Sequence, residues 1–84
     1  MMRYNSKLAG QMIGRLRVQR SWSQDVLSGL AGISRSHLSD IENGKKSPYL
    51  PTLWRITEAL GLPLSDFIRL VEEEAAGQDS VVSG

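Results

Sequence analysis

The chain has 84 residues, of which 40% are hydrophobic and five are aromatic, so its composition predicts one modest core and no second domain. It contains no cysteine, which excludes disulfide bonds, thiolate metal sites and a cysteine nucleophile, and no apolar run reaches the roughly 18 residues of a membrane span. The formal net charge of +1 conceals an uneven distribution, because residues 1–46 carry eight Lys or Arg and three Asp or Glu, whereas residues 47–84 carry two and six.

The first predicted helix covers about residues 6–20. Apolar side chains in this segment recur with the spacing that lines one face of an α-helix. They are Leu8, Met12, Ile13 and Leu16.

The next two predicted helices are short and are joined by a sharp turn. Ser23 can cap the first of them, and Gly32 can end it, because glycine adopts the left-handed conformation without strain. Ser34 can cap the following helix, which stops at Asn43-Gly44. The apolar side chains that can meet across this turn are Leu27, Ala31, Ile33, Leu38 and Ile41. The arrangement is a helix-turn-helix over about residues 23–43.

Two more helices are predicted after the loop KKSPYLP. Thr52 is expected to cap the fourth helix, which ends at Gly61, and Ser65 to begin the fifth. The apolar residues that repeat along these segments are Leu53, Ile56, Ala59, Leu60, Phe67, Ile68 and Val71. The chain that follows is acidic and then small and polar, without periodicity, so it is expected to be frayed.

These elements predict an all-α protein of five helices and no strands. We expect residues 1–7 to form an N-terminal arm, residues 8–71 to form the helix-turn-helix domain, and residues 72–84 to form a flexible acidic and polar tail. The first ten residues lack the hydrophobic core of a signal peptide, so a cytoplasmic location is expected.

The third predicted helix has an outer face made of polar residues. If Leu38 and Ile41 point inward, helical geometry directs the opposite face outward. That face carries Arg35, Ser36, Ser39 and Asp40. A short helix with a polar outer face and an apolar underside suits a DNA major groove, which is about 12 Å wide.

The chain resembles the lambda-repressor-like helix-turn-helix proteins, also called Cro/repressor-type or Xre-type. The resemblance runs from about residue 13 to residue 70 and is carried by SQDVLSGLAGISRSHLSDIENGKKSP followed by TLWRITEALGLPL. It implies a five-helix DNA-binding domain and a sequence-specific regulator of transcription that binds double-stranded DNA. Because repression requires only occupancy of a promoter, a repressor is favoured over an activator.

The resemblance also implies roles for individual residues. The family's phosphate contact at the start of the second helix corresponds to Gln24. Its base-reading positions correspond to Arg35, Ser36 and Asp40. Its DNA-backbone contacts correspond to Ser23, His37, Ser39 and Asn43, with Lys45 and Lys46 in the loop beyond. A structural ion pair that is common in the family corresponds to Arg17 with Glu42.

Several of these roles have competing interpretations. Arg35 can bond guanine with two parallel hydrogen bonds, worth about 1–3 kcal/mol of discrimination, or it can contact only a phosphate. Asp40 would be repelled by phosphates unless it accepts from a cytosine amine or orients Arg35, and it can also remain a surface residue. Ser36 can meet a base or only stabilise the helix start, and His37 can contact the DNA backbone or be partly packed. The two loop lysines can be simply solvated.

One subunit reading about four base pairs would not define a unique site, so a homodimer on an inverted repeat is expected, with half-sites about 34 Å apart. Some apolar residues exceed what one small bundle needs, although Trp54 can also belong to the core. The candidate interface residues are Trp54, Leu64, Phe67, Ile68 and Val71. Trp22 is expected to close the end of the first helix instead.

Catalysis is not expected from this sequence. Ser36, His37 and Asp40 are near neighbours on a helix, where successive side chains project about 100° apart and cannot align as a triad. The single histidine has no partner for a metal site, and no cofactor is indicated. Two other functions remain open: an antitoxin or restriction-modification controller, with a toxin or another protein antagonist as a possible partner, or a protein-interaction module that keeps the fold without reading DNA.

Overall fold

The computed structural model describes residues 5–83, and the side chains of residues 5–77. Over that range it consists of five helices with no strand, as the all-α prediction required. The helices are α1 (Ser6–Gln19), α2 (Gln24–Ala31), α3 (Arg35–Glu42), α4 (Leu50–Leu60) and α5 (Leu64–Ser83). Most of the predicted N-terminal arm, residues 1–4, lies outside the described residues, but Ser6 and Lys7 already belong to α1.

The turn between α2 and α3 forms through the local signals that the sequence contains. The Ser23 hydroxyl accepts a hydrogen bond from the backbone N–H of Val26, and the Ser34 hydroxyl accepts one from the N–H of His37. Gly32 ends α2 with a φ of 72°, in the left-handed region that glycine tolerates best. Contacts between residues close together in the sequence therefore determine where α2 ends and where α2 and α3 begin.

The start of α4 differs from the prediction. The helix begins at Leu50, with Tyr49 at the N-cap and no side-chain cap, whereas Thr52 lies inside the helix and is buried. Pro51 occupies the first turn, where its fixed φ favours the helix and its missing N–H leaves no donor unpaired. Proline thus starts this helix, and the prediction that Thr52 caps it is wrong.

The core lies where all five helices meet. α1 packs against α3, α4 and α5, while α2 packs against α3 and α4. The buried apolar residues are Leu8, Ala9, Met12, Ile13, Leu27, Ala31, Leu38, Ile41, Leu53, Ile56, Leu60, Phe67 and Val71. Two of them, Phe67 and Val71, were assigned from the sequence to a dimer interface; that assignment is wrong, because this chain's own helices enclose both side chains.

The contact between α1 and α3 depends on a glycine. Gly10 is buried, and a Cβ atom at this position would overlap the backbone carbonyl oxygen of Ile41. One turn further along α1, a Cβ atom at Gly14 would lie 3.2 Å from the Glu42 Oε1 atom. These two glycines allow α1 to approach the end of α3 closely, a role that their positions in the sequence do not reveal.

The last helix is longer than predicted. The predicted flexible tail covers residues 72–84, but α5 continues to Ser83, and residue 84 lies outside the described residues. Residues 72–76 are Glu and Ala, which favour helix, and Ala75 packs against the core. Glu74 lies 3.6 Å from the Arg15 guanidinium on α1, an exposed pair of small energetic weight. Helix propensity and packing on α1 therefore account for the helix through residue 76.

Candidate nucleic-acid interface

The outer face of α3 and the first turn of α2 form one surface that is open to solvent. Arg35 and Ser36 are exposed, and Ser39 and Asp40 are partly exposed, while Leu38 and Ile41 beneath them are fully buried. An open cleft along this surface is lined by Gln24, Ser34, Arg35, Ser36 and Ser39. The structure therefore brings together the residues that the sequence placed on the outer face of this helix, and the described part of α5 does not cover them.

Other predicted contact residues surround this cleft. Ser23, Asn43, Lys45 and Lys46 are exposed, and His37 is partly exposed. The Asn43 side-chain amide donates to the Ser39 hydroxyl at 3.3 Å, and the Ser36 hydroxyl lies 3.4 Å from that of Ser34. The contact with Ser34 agrees with the interpretation that Ser36 stabilises the start of α3.

The charged side chains of the surface form two exposed ion pairs. The Arg35 Nε atom lies 3.5 Å from an oxygen of Asp25, in the first turn of α2, and both side chains are largely exposed. Asp40 instead lies 3.9 Å from the Lys46 ammonium group, so it does not orient Arg35. Exposed pairs such as these contribute about 0–1 kcal/mol, so each cation remains available to a stronger anion.

Behind the surface lies a network centred on Glu42. Arg17 donates from Nε to Glu42 Oε2 at 2.8 Å and from Nη2 to Oε1 at 3.0 Å, and its Nη1 donates to the Trp22 carbonyl at 2.7 Å. The Glu42 side chain is only 8% exposed. The hydrogen bond to Glu42 raises the pKa of Arg17, so the guanidinium stays charged under all ordinary conditions.

Gln24 belongs to the same network. Its Nε2 group donates to Glu42 Oε1 at 3.1 Å, which joins the first residue of α2 to the last residue of α3. This contact could not be predicted from the sequence, because the two residues lie 18 positions apart and no local spacing pattern relates them. Only the angle between α2 and α3 brings them together.

A second open surface is apolar. Trp54 is 54% exposed, and it borders a cleft whose other walls include the partly exposed Leu62, Leu64 and Ile68. Three of these residues were predicted from the sequence to form an interface; Leu62 was not. Two further apolar residues at the start of α4, Tyr49 and Leu50, are also exposed.

The described residues contain no group of three or more His, Cys, Asp or Glu side chains arranged to hold a metal ion. Among the helices over residues 5–83, none has the length and apolar character needed to cross a bilayer.

Comparison with known proteins gives consistent matches. A family model described as "Helix-turn-helix" matches residues 13–67. The HTH-type transcriptional regulator SutR of Escherichia coli (strain K12) is 43% identical over 54 residues, which cover 64% of this chain and 30% of SutR. The immunity repressor protein of Bacillus phage phi105 is 38% identical over 74 residues, covering 84% of this chain and 51% of the repressor. This chain thus spans about a third to a half of the length of these two relatives.

A solved structure gives a similar match. The restriction-modification controller protein C.AhdI from Aeromonas hydrophila superposes with a TM-score of 0.70 and 26% sequence identity. The superposition covers 73% of this chain and 92% of that protein.

Proposed function

This chain belongs to the Xre-type helix-turn-helix family of DNA-binding transcriptional regulators, and from that we propose that it represses transcription by binding double-stranded DNA with α3 in the major groove. The observation that carries the proposal is the open polar face of α3, supported from beneath by the buried Leu38 and Ile41. Repression requires only that the bound protein occupy a promoter, and a phage immunity repressor is among its relatives. Such a regulator would work in the cytoplasm, where its DNA is.

We propose different tasks for the two helices. At the start of α2, Gln24 and the free backbone N–H groups would contact a phosphate, which fixes the position of the protein on the duplex. Arg35 would extend from the start of α3 to a guanine and provide base discrimination. Lys45 and Lys46 follow α3 and are exposed, so they would add phosphate contacts without sequence preference.

Salt dependence provides the first test. With about four to six phosphate contacts per subunit, raising salt from about 50 to about 200 mM should weaken the binding of one subunit by about 150- to 2,000-fold, and the binding of a dimer by more. The measurement is fluorescence anisotropy with DNA from upstream of the protein's own gene. A module that only binds other proteins would show neither DNA binding nor this salt dependence.

In the same assay, Arg35→Ala should remove about 1–3 kcal/mol of discrimination at one position of the selected site. Gln24→Ala should instead weaken binding to every sequence alike, since a phosphate contact carries no base information. Arg69→Ala is the control, because this exposed arginine lies on α5, away from the α2–α3 surface. If Arg35→Ala weakened all sequences equally, Arg35 would contact only the DNA backbone.

We further propose that the protein binds an inverted repeat as a homodimer through the apolar cleft formed by Trp54, Leu62, Leu64 and Ile68. Two half-sites on one DNA face lie about 34 Å apart, and a second subunit supplies the specificity that one short helix lacks. An exposed tryptophan beside an apolar cleft is the type of residue that dominates interface energy.

Trp54→Ser should weaken self-association by about 2 kcal/mol or more, roughly 30-fold in the dimer Kd, with little change in stability. Sedimentation equilibrium over a range of protein concentrations measures this. Val18→Ser is a matched control, because Val18 is 63% exposed and lies on α1. Equal effects of both substitutions would place the dimer interface elsewhere.

The similarity to C.AhdI over 92% of that protein supports a second candidate, a restriction-modification controller with the same mode of DNA binding. An antitoxin would share this mode as well. A methylase or a toxin encoded beside the gene would identify either case, and the toxin would then be a protein partner.

A further inference from the structure

Gln24 is held in place before any DNA arrives. It is partly buried at the edge of the cleft along α3, and its Nε2 group donates to Glu42 Oε1 at 3.1 Å. Glu42 is itself fixed by two hydrogen bonds from Arg17, and Arg17 is fixed by its hydrogen bond to the Trp22 carbonyl. An unbroken series of hydrogen bonds therefore runs from the loop before α2 to the amide of Gln24.

The partner decides which end of the amide points inward. An ionised carboxylate only accepts hydrogen bonds, so the Gln24 nitrogen, and not its oxygen, must face Glu42. One of the two hydrogens on that nitrogen is then occupied, and the other is free to donate. A donor near the open N-terminus of α2 is what a phosphate requires, whereas an amide turned the other way would point its oxygen at Glu42 and be repelled.

The negative charge of Glu42 does not defeat this arrangement. A carboxylate close to the duplex would normally repel phosphates, but Arg17 binds both of its oxygens, and the side chain is only 8% exposed. The Arg17–Glu42 pair therefore has little net charge to repel the DNA phosphates. Glu42 Oε1 still accepts the hydrogen bond from Gln24.

We propose that Glu42 is a positioning residue for DNA binding: it holds the Gln24 amide in the free protein so that its remaining N–H donates to a DNA phosphate. Long side chains lose rotamer freedom when they are fixed in a complex, so a side chain fixed beforehand binds more tightly. This inference rests on the proposed function, and it gives the Arg17–Glu42 pair a role in DNA affinity beyond its role in stability.

A folded variant that lacks the Glu42 carboxylate separates the role of the Arg17–Glu42 pair in DNA affinity from its role in stability. In Arg17→Met/Glu42→Leu, apolar side chains replace the ion pair, an exchange that folded proteins often tolerate. Once thermal melting shows that it is folded, this variant should bind DNA of any sequence about tenfold more weakly than the wild type, about 1.4 kcal/mol. Gln24→Met should cost about tenfold in the wild-type background but less than about twofold in the variant background. A purely structural pair would leave the affinity of the folded variant unchanged and the two Gln24→Met losses equal.

A second measurement needs no substitution in the network. Relaxation of the side-chain amide ¹⁵N groups in the DNA-free wild type should show Gln24 to be ordered, in contrast to Gln11 and Gln19, which are exposed on α1. If Gln24 were as mobile as these two internal controls, the proposal would be overturned even if the double variant failed to fold.

The outcomes separate this inference from the proposed function. If the wild type shows no salt-dependent DNA binding, the proposed function fails and the inference fails with it. If the wild type binds DNA but the Gln24→Met losses are equal in both backgrounds, or Gln24 is mobile, only the role of Glu42 is wrong.

Discussion

Replacing Phe67 with alanine should destabilise the protein by about 3–5 kcal/mol, the usual effect of removing a large aromatic side chain from a core. Phe67 is fully buried, and its loss would leave a cavity where α5 packs against α1 and α4. For a chain of this size the melting temperature should fall by roughly 12–40 °C. Thermal unfolding followed by far-ultraviolet circular dichroism measures the change.

Trp54→Ala is the matched control for this experiment, because it also removes an aromatic ring that the sequence predicted to lie in the dimer interface. The Trp54 side chain is half-exposed, so its loss should change stability by about 1 kcal/mol or less. If Phe67→Ala instead left the melting temperature unchanged and abolished self-association, Phe67 would be an interface residue, and its burial in the monomer core would be wrong.

Replacing Arg17 with methionine should have an effect of similar size, about 3–5 kcal/mol, because it leaves Glu42 as an uncompensated buried charge. The Trp22 carbonyl and Glu42 Oε2 lose their Arg17 donors in the same step, and Glu42 Oε1 keeps only its hydrogen bond from Gln24. Urea denaturation should show a lower midpoint with an unchanged slope, since the surface exposed on unfolding is the same.

Arg15→Met on the same helix is the control. Arg15 is half-exposed, and its partner Glu74 lies 3.6 Å away in contact with solvent, so the loss should be about 1 kcal/mol or less. Adding Glu42→Leu to Arg17→Met should restore most of the lost stability, because the unpaired charge is then removed. If Arg15→Met and Arg17→Met destabilised the protein equally, the burial of the Arg17–Glu42 pair would have no effect on stability.

The number of Lys and Arg residues in the sequence overstates how many cations can contact DNA. Residues 1–46 carry an excess of five positive charges, which favours a polyanion as partner. In the folded protein, however, Arg17 is committed to Glu42, and Arg20 donates to the Leu16 carbonyl and lies over the Trp22 ring, 6.0 Å from its centroid. The cations available to DNA are fewer than the sequence suggests, and those in or directly after α3 are the exposed Arg35, Lys45 and Lys46.

The sequence by itself determined the helix-turn-helix and the face that it presents. Ser23, Gly32 and Ser34 set the ends of α2 and α3 through contacts within a few positions of the chain, and such local effects can be recognised from residue type. The inward direction of Leu38 and Ile41 follows from helical geometry, so the polar outer face of α3 could be predicted as well.

Only the tertiary structure decided which apolar residues are enclosed and which distant side chains meet. Phe67 and Trp54 have similar sequence signals, but the packing of α5 against α1 and α4 buries the first and leaves the second half-exposed. The bond from Gln24 to Glu42 depends on the angle between α2 and α3, and the close approach of α1 to α3 depends on the contact of Gly10 with the backbone of Ile41. Burial and long-range pairing arise from the packing of whole helices, and the pattern within any one helix does not specify them.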